Sequence, residues 1–244
     1  FVLFVVHSIL AIIPPLNSDE ALYWEHSRHL ALGYYSHPPL TGWLIAAITN
    51  LLATSEYSIR FISIVLHLCV ISIIYVWTNE LTKEKKISCA AVVIFSLMPV
   101  PFFFGSFVTS DCSLFFFYTI STYFVYKAIF SESAKYWYIA GFAAGGMMLS
   151  KFMGFLFFPS VFIFLIIYRK YRNILLQIHP YLAFIITLSI FSPFLFWNSQ
   201  NQWLTFQFNF FARNQNAGLS LLNFIYSFFA QVIALSPFVF FSFL

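Results

Sequence analysis

Long apolar runs separated by short polar or proline-marked breaks dominate the chain. They cover about residues 1–13, 58–77, 87–107, 112–129, 138–168, 180–197 and 219 onward. Several reach the ~20 residues that a helix needs to cross ~30 Å of hydrocarbon. None has the short alternating segments of a membrane β-barrel. The pattern predicts an all-α, polytopic transmembrane helix bundle in one domain, residues 1–244, with about eight crossings. The opening run is too short to span and reads as the tail of a first helix stopped by Pro14-Pro15; both ends look truncated. Residues 14–53 then form a first outer loop. It holds a polar, aromatic segment and an amphipathic stretch opened by Pro38-Pro39, both expected as interfacial helices.

Composition agrees with this class. Hydrophobic residues make up 61% of 244 and charged residues only 8%, with 35 phenylalanines. A soluble domain carries roughly 25% charged residues, so this chain lacks the means to cover a water-facing surface. The three cysteines, Cys69, Cys89 and Cys112, lie in or beside apolar runs, which fits small core residues better than a disulfide framework. The net charge of +4 gives no argument for nucleic acid, because the basic residues sit in short interhelical loops.

Those loops orient the chain. With the first helix running outward, Lys83, Lys85, Lys86, Lys127, Lys135, Arg169, Lys170 and Arg172 face the cytoplasm. Arg28, Arg60, Lys151 and Arg213 stay outside, together with Asp19, Glu20, Glu25, Glu56 and Asp111. The run at 138–168 tests the rule. At ~1.5 Å per residue it is roughly 46 Å long, too long for one crossing, and both its flanks are basic. Two short crossings meeting outside near Ser150-Lys151, among Gly145, Gly146 and Gly154, satisfy the charge rule.

The outer side concentrates the candidate chemistry. Ser18 is a plausible N-cap, with Asp19 and Glu20 in a first helical turn that favours negative charge. Leu22, Glu25 and His29 share a face, while Tyr23 and Trp24 suit the interface. An interfacial helix with solvated acids explains this segment, and so does a carboxylate held at the membrane surface as general base or cation site. His26 and His29 beside Glu25 resemble half a metal site, although a surface pair is the commoner arrangement. Asp111 opens a very apolar helix as a cap or a site residue. Lys151, enclosed by apolar residues, must snorkel or meet an anion. Residues 197–213 mix amides with aromatics and end on Arg213, as a carbohydrate-contacting helix or a plain interfacial loop could.

Several segments, taken in order, resemble bacterial GT-C glycosyltransferases: relatives of protein O-mannosyltransferases, aminoarabinose transferases and lipopolysaccharide-core galacturonosyltransferases. Asp19-Glu20-Ala21-Leu22-Tyr23-Trp24 and Leu30-Ala31-Leu32-Gly33-Tyr34-Tyr35-Ser36-His37-Pro38-Pro39-Leu40 resemble the family's first outer loop. Thr109-Ser110-Asp111 resembles its second outer aspartate, Leu149-Ser150-Lys151 its Leu-(Thr/Ser)-Lys turn, and Trp197-Asn198 with Trp203 its Trp-Asn loop. Where the family often has His after Trp-Asn-x-x, this chain has Asn201, so that histidine's role does not carry over.

The resemblance implies inverting transfer of a sugar from a polyprenyl-phosphate donor to a lipid, glycan or protein hydroxyl. The reaction would take place on the extracytoplasmic face of a bacterial inner membrane. Asp19 would be the catalytic base, Glu20 its support and Asp111 an orienting carboxylate. Lys151 and Arg213 would hold the donor phosphate; His37, Tyr35 and Trp203 would shape the substrate pocket. No cofactor is required, although the acids and histidines leave room for a divalent metal. The competing readings are a transporter or flippase for a lipid-linked or anionic solute, and a non-catalytic assembly subunit. Charges gathered at loop mouths rather than at the bilayer midplane argue against the transporter.

Overall fold

The computed structural model describes residues 1–131, 133–212 and 220–234, and among these there is no β-strand. Its helices are α1 (Val2–Leu10), α2 (Ser18–Arg28), α3 (Leu40–Leu52), α4 (Glu56–Thr82), α5 (Lys85–Leu97), α6 (Pro99–Ser106), α7 (Ser110–Ser131), α8 (Ala134–Ser150), α9 (Phe157–Ile167), α10 (His179–Gln200), α11 (Leu204–Phe210) and α12 (Leu221–Ala234). By length and apolar composition, α4, α7 and α10 can each cross a bilayer, and α5 with α6 makes a fourth, bent candidate. Among the described residues that is fewer full-length spans than the eight crossings expected, because α1, α8, α9 and the described part of α12 are each shorter than 18 residues.

The ends of the helices follow from local chemistry. Asn17, not Ser18, caps α2: its Oδ1 accepts from the Glu20 N–H (3.0 Å), and Glu20 Oε2 accepts from the Asn17 N–H (3.1 Å). This reciprocal pair satisfies two donors that the helix would otherwise leave bare. Ser55 and Ser58 cap α4 the same way, and Lys83 closes it in the left-handed conformation. The run at 87–107, continuous by hydropathy, is broken and bent by 75° between α5 and α6. Pro99 forces Met98 into an extended conformation (ψ 137°) and supplies no N–H to continue the ladder.

The centre of the bundle is α8, nearly all of whose second half is buried. It runs antiparallel to α7: Ser121 donates to the Ala140 carbonyl (3.4 Å), while Lys151 meets Asp111 at the other end. On its other side it lies along α10, where Thr187 donates to the Gly141 carbonyl (2.9 Å). A Cβ on Gly141 would come within 2.4 Å of the Ala183 carbonyl oxygen, so only glycine permits this helix spacing. The chain leaves helical geometry at Lys151 (φ −154°, ψ 127°), makes a 3-10 turn over Phe152–Leu156 and returns as α9. Ring contacts of Phe157 with Tyr118 (5.8 Å) and of Tyr171 with Phe130 (5.5 Å) fix the direction of that return alongside α7. The 138–168 run is therefore a hairpin with Lys151 at its tip.

Candidate active site

Successive residues on a helix point about 100° apart, given 3.6 residues per turn. The Asp19-Glu20 pair is split accordingly. Glu20 is fully buried, whereas Asp19 is exposed and forms no hydrogen bond or ion pair among the described residues. Glu20 is held by Arg60, itself fully buried, whose Nε donates to Oε1 (2.7 Å) and Nη2 to Oε2 (2.6 Å). Arg60 also donates to the carbonyls of Ala11 (3.0 Å), Pro14 (2.7 Å) and Pro15 (2.9 Å). The Val108 N–H adds a further bond to Glu20 Oε1 (3.1 Å). One ion pair thus ties the end of α1, the start of α2, the body of α4 and the approach to α7 together.

Neither charge of the pair is solvated. The Arg60 guanidinium has no access to water. Glu20, expected among the catalytic residues as the support of Asp19, has both oxygens committed and reaches no solvent.

Tyr23 lies one helical turn beyond Asp19. Its buried hydroxyl donates to Ser110 Oγ (3.0 Å), which joins α2 to the first residue of α7. Burial pushes its pKa up to about 12, and the negative charges of Asp111 and Asp19 push the same way against the hydrogen bonds of Ser110. Tyr23 therefore stays a neutral donor at physiological pH and lies within the field of both aspartates. The His37 ring packs edge-on against Tyr23, with centroids 5.2 Å apart, and its Nδ1 lies 2.8 Å from Ser36 Oγ.

Asp111 forms a two-point ion pair with Lys151: Nζ donates to Oδ1 (2.8 Å) and Oδ2 (2.9 Å). About 32% of the Asp111 side chain and 27% of that of Lys151 remain exposed. Both therefore still reach the surface of the bundle, and Asp111 is a partner for lysine rather than a helix cap. Asp19, Tyr23, His37, Asp111 and Lys151 are thus brought to one end of the bundle.

The Trp-Asn segment acts as a clamp on the loop between α2 and α3. Asn198, fully buried, accepts from the Thr205 N–H (3.2 Å) and so caps the start of α11. Thr205 then donates to the Tyr34 carbonyl (2.6 Å), and Asn209 to the Ser36 carbonyl (3.0 Å). Gln202 and Trp203 take the left-handed conformation (φ 55° and 58°) to make the reversal between α10 and α11. Such strain costs of order 1–3 kcal/mol per residue and persists where the surroundings over-determine it. Trp203, half exposed, rests on Phe206 at 5.7 Å, and Tyr35 rests on Phe208 at 4.6 Å. Both rim the α11 side of the loop. Arg213 lies outside the described residues.

The histidines of α2 do not converge. His26 stacks flat on Tyr34 (3.8 Å) in a half-buried position whose desolvation lowers its pKa, while His29 pairs with Glu25 (3.1 Å). Among the described residues, no three His, Cys, Asp or Glu side chains form a metal-holding group.

Residues 36–197, well over half of the chain, match the family described as dolichyl-phosphate-mannose-protein mannosyltransferase. The chain belongs to this family. The match covers Asp111, Lys151 and both ends of the α7–α8 pairing; Asp19 precedes it. This mannosyltransferase-family chain is 25% identical over 228 residues to the lipid A galacturonosyltransferase RgtD of Rhizobium johnstonii. The alignment takes in 93% of the chain but only 48% of RgtD, so the chain spans about half the length of the curated relative it matches. Its fold is that of the apo crystal structure of ArnT from Cupriavidus metallidurans, with a TM-score of 0.73 at 18% identity. That superposition covers 86% of this chain and 42% of ArnT.

Sequence reasoning missed the contacts of Arg60 and Thr205, and gave no role of their own to Tyr23, Ser110 and Asn198, which lie within the segments that carry the resemblance. For Arg60 a signal existed: a lone arginine inside an apolar helix must find an anion. Tyr23 and Ser110 carry none, since neither residue type is unusual at a membrane interface.

Proposed function

We propose that this chain carries the catalytic face of a membrane glycosyltransferase that uses a polyprenyl-phosphate-linked sugar. Transfer would be to a hydroxyl of a lipid, glycan or protein on the extracytoplasmic side of a bacterial inner membrane. The observation that carries the reading is Asp19: an exposed carboxylate without an ion-pair partner among the described residues, at the same end as the Asp111–Lys151 pair. Family membership supports the reaction class, and positive loops at the opposite end support the side.

In this reaction Asp19 accepts the proton of the acceptor hydroxyl as its oxygen attacks the anomeric carbon. The new C–O bond forms on the face opposite the departing phosphate, so the anomeric centre inverts. The bond from that carbon to the phosphate oxygen breaks, and its electron pair leaves with the lipid phosphate. Lys151 stabilises that negative charge, with Arg213 as a second cation. Asp111 keeps Lys151 aimed until the phosphate arrives. Glu20 and Arg60 hold the first turn of α2, and with it Asp19, in place. Near the cluster Asp111 and Glu20 are taken by cations, so Asp19 alone would have to anchor a divalent metal; transfer is expected to survive chelation.

The test is Asp19→Asn in the intact protein. Removing a general base costs ~10²–10⁴-fold, so sugar transfer to the envelope acceptor should fall by that factor while membrane insertion is unchanged. Wild-type transfer by the variant refutes the assignment.

A further inference from the structure

Two cavities meet at the end of the bundle opposite Asp19. The first, about 450 Å³, lies between α8, α9 and α10 and is lined almost wholly by apolar groups, among them Ala140, Phe157, Val161, Leu165 and Phe184. The second, about 390 Å³, is polar and lies under the segment that links α9 to α10, where Lys170, Asn173, Gln177 and His179 line it. Trp137, 5% exposed, lines both. An apolar slot thus opens beside a polar basin across one indole ring.

Among the described residues that line the basin, Lys170 is charged and none is Asp or Glu. No Asp or Glu follows Glu132 in the sequence, whereas Lys135, Arg169, Lys170 and Arg172 cluster at this end. None of these four forms an ion pair among the described residues. Lys127, close by in sequence, is already neutralised by Glu80 (3.0 Å). The His179 ring is held by the Tyr138 hydroxyl at Nδ1 (2.8 Å). Basic pockets between transmembrane helices on the cytoplasmic side suit anionic lipid headgroups. The positive loops place this end on that side.

We propose that this pair of cavities is a binding site for one anionic glycerophospholipid of the cytoplasmic leaflet. Its phosphate would sit in the basin among Lys170, Asn173, Gln177 and His179, and an acyl chain in the slot between α8, α9 and α10. The headgroup basin is separate from the proposed reaction centre by the length of α8, because Ser133 and Ala134 at the start of that helix line the basin and Lys151 follows its last residue. It takes no part in sugar transfer and stands whether or not that reading does.

The test is native mass spectrometry of the intact protein, delipidated and then titrated in detergent with phosphatidylglycerol, phosphatidylethanolamine, an isoprenyl phosphate or free glycerol 3-phosphate. Phosphatidylglycerol is expected to bind one per chain and to outcompete phosphatidylethanolamine. One lysine near a membrane surface is worth about fivefold in affinity for an anionic lipid, so Lys170→Gln should weaken phosphatidylglycerol about that much and zwitterionic phosphatidylethanolamine clearly less. Val161→Trp, which fills the slot, should reduce binding of both lipids with the thermal unfolding temperature retained. Should that variant not fold, the headgroup comparison and Lys170→Gln decide alone. Equal binding of the two phospholipids, or wild-type retention by Lys170→Gln, overturns the proposal. So does binding of free glycerol 3-phosphate as tight as that of the lipid, or displacement of phosphatidylglycerol by equimolar isoprenyl phosphate.

Discussion

At the scale of single residues, the Glu20–Arg60 pair is the most exacting arrangement in the molecule. Both groups are fully removed from water, and each oxygen of Glu20 and each donor of Arg60 named above has a partner. Removing one member of such a pair leaves a buried charge uncompensated, at a cost of ~3–5 kcal/mol. Glu20→Gln and Arg60→Met should therefore each lower the unfolding temperature in detergent sharply. The double variant should be destabilised by clearly less than the sum, which a double-mutant cycle reads directly. Additive losses would mean that the two side chains do not depend on each other. Asp19-Glu20 was legible in the sequence as an acidic pair, and the resemblance implied base and support within it, but the division into one exposed and one buried carboxylate was not legible. That division follows from the helical turn between neighbours and from the position of Arg60, 40 residues away, which only the folded chain supplies.

At the scale of elements, the first outer loop keeps its shape because α10 and α11 close over it. Gly33 makes that closure possible: a Cβ there would lie 2.5 Å from Trp197 Cε3 and 3.0 Å from Phe194 Cδ2. Phe194 is fully buried and Trp197 sits at the last turns of α10, so neither ring can yield freely. Gly33→Ala should cost ~1–3 kcal/mol, as overpacking usually does, and should shift the loop that carries Tyr35 and His37. Sugar transfer is then expected to fall more than stability alone explains, while Ala31→Gly, in the same loop, should leave transfer close to normal. Equal loss of folded protein and of activity in Gly33→Ala would confine its role to packing. The helical runs themselves were readable from hydropathy because apolar length is what a bilayer selects. The break at Met98-Pro99 was not, since Pro99 and Pro101 are apolar enough to vanish into a hydrophobic run while still ending a helix.

At the scale of the whole molecule, charge sidedness and the reversal at Lys151 depend on each other. If the chain turns back there, the loops before α8 and after α9 must share a side, and Lys151 must face the side of Asp111. The ion pair between them and the ring contacts of α9 along α7 agree on this. The sequence already held the argument in its two basic flanks and a central Ser-Lys. The pairing partner of that lysine was invisible, because nothing in local spacing links residues 40 apart. The arrangement makes a prediction about accessibility. In a variant lacking Cys69, Cys89 and Cys112, a single cysteine replaces Met153, which is 46% exposed just beyond the tip of the hairpin. It should react with a membrane-impermeant thiol reagent added to sealed spheroplasts. A single cysteine replacing Leu176, 87% exposed after α9, should react only once the membrane is permeabilised. Thr54→Cys, exposed between α3 and α4, serves as the outer reference. Labelling of both Met153→Cys and Leu176→Cys from outside would put the two ends of α9 on one face. The hairpin would then not cross the membrane, and the anionic-lipid basin would lose its cytoplasmic leaflet.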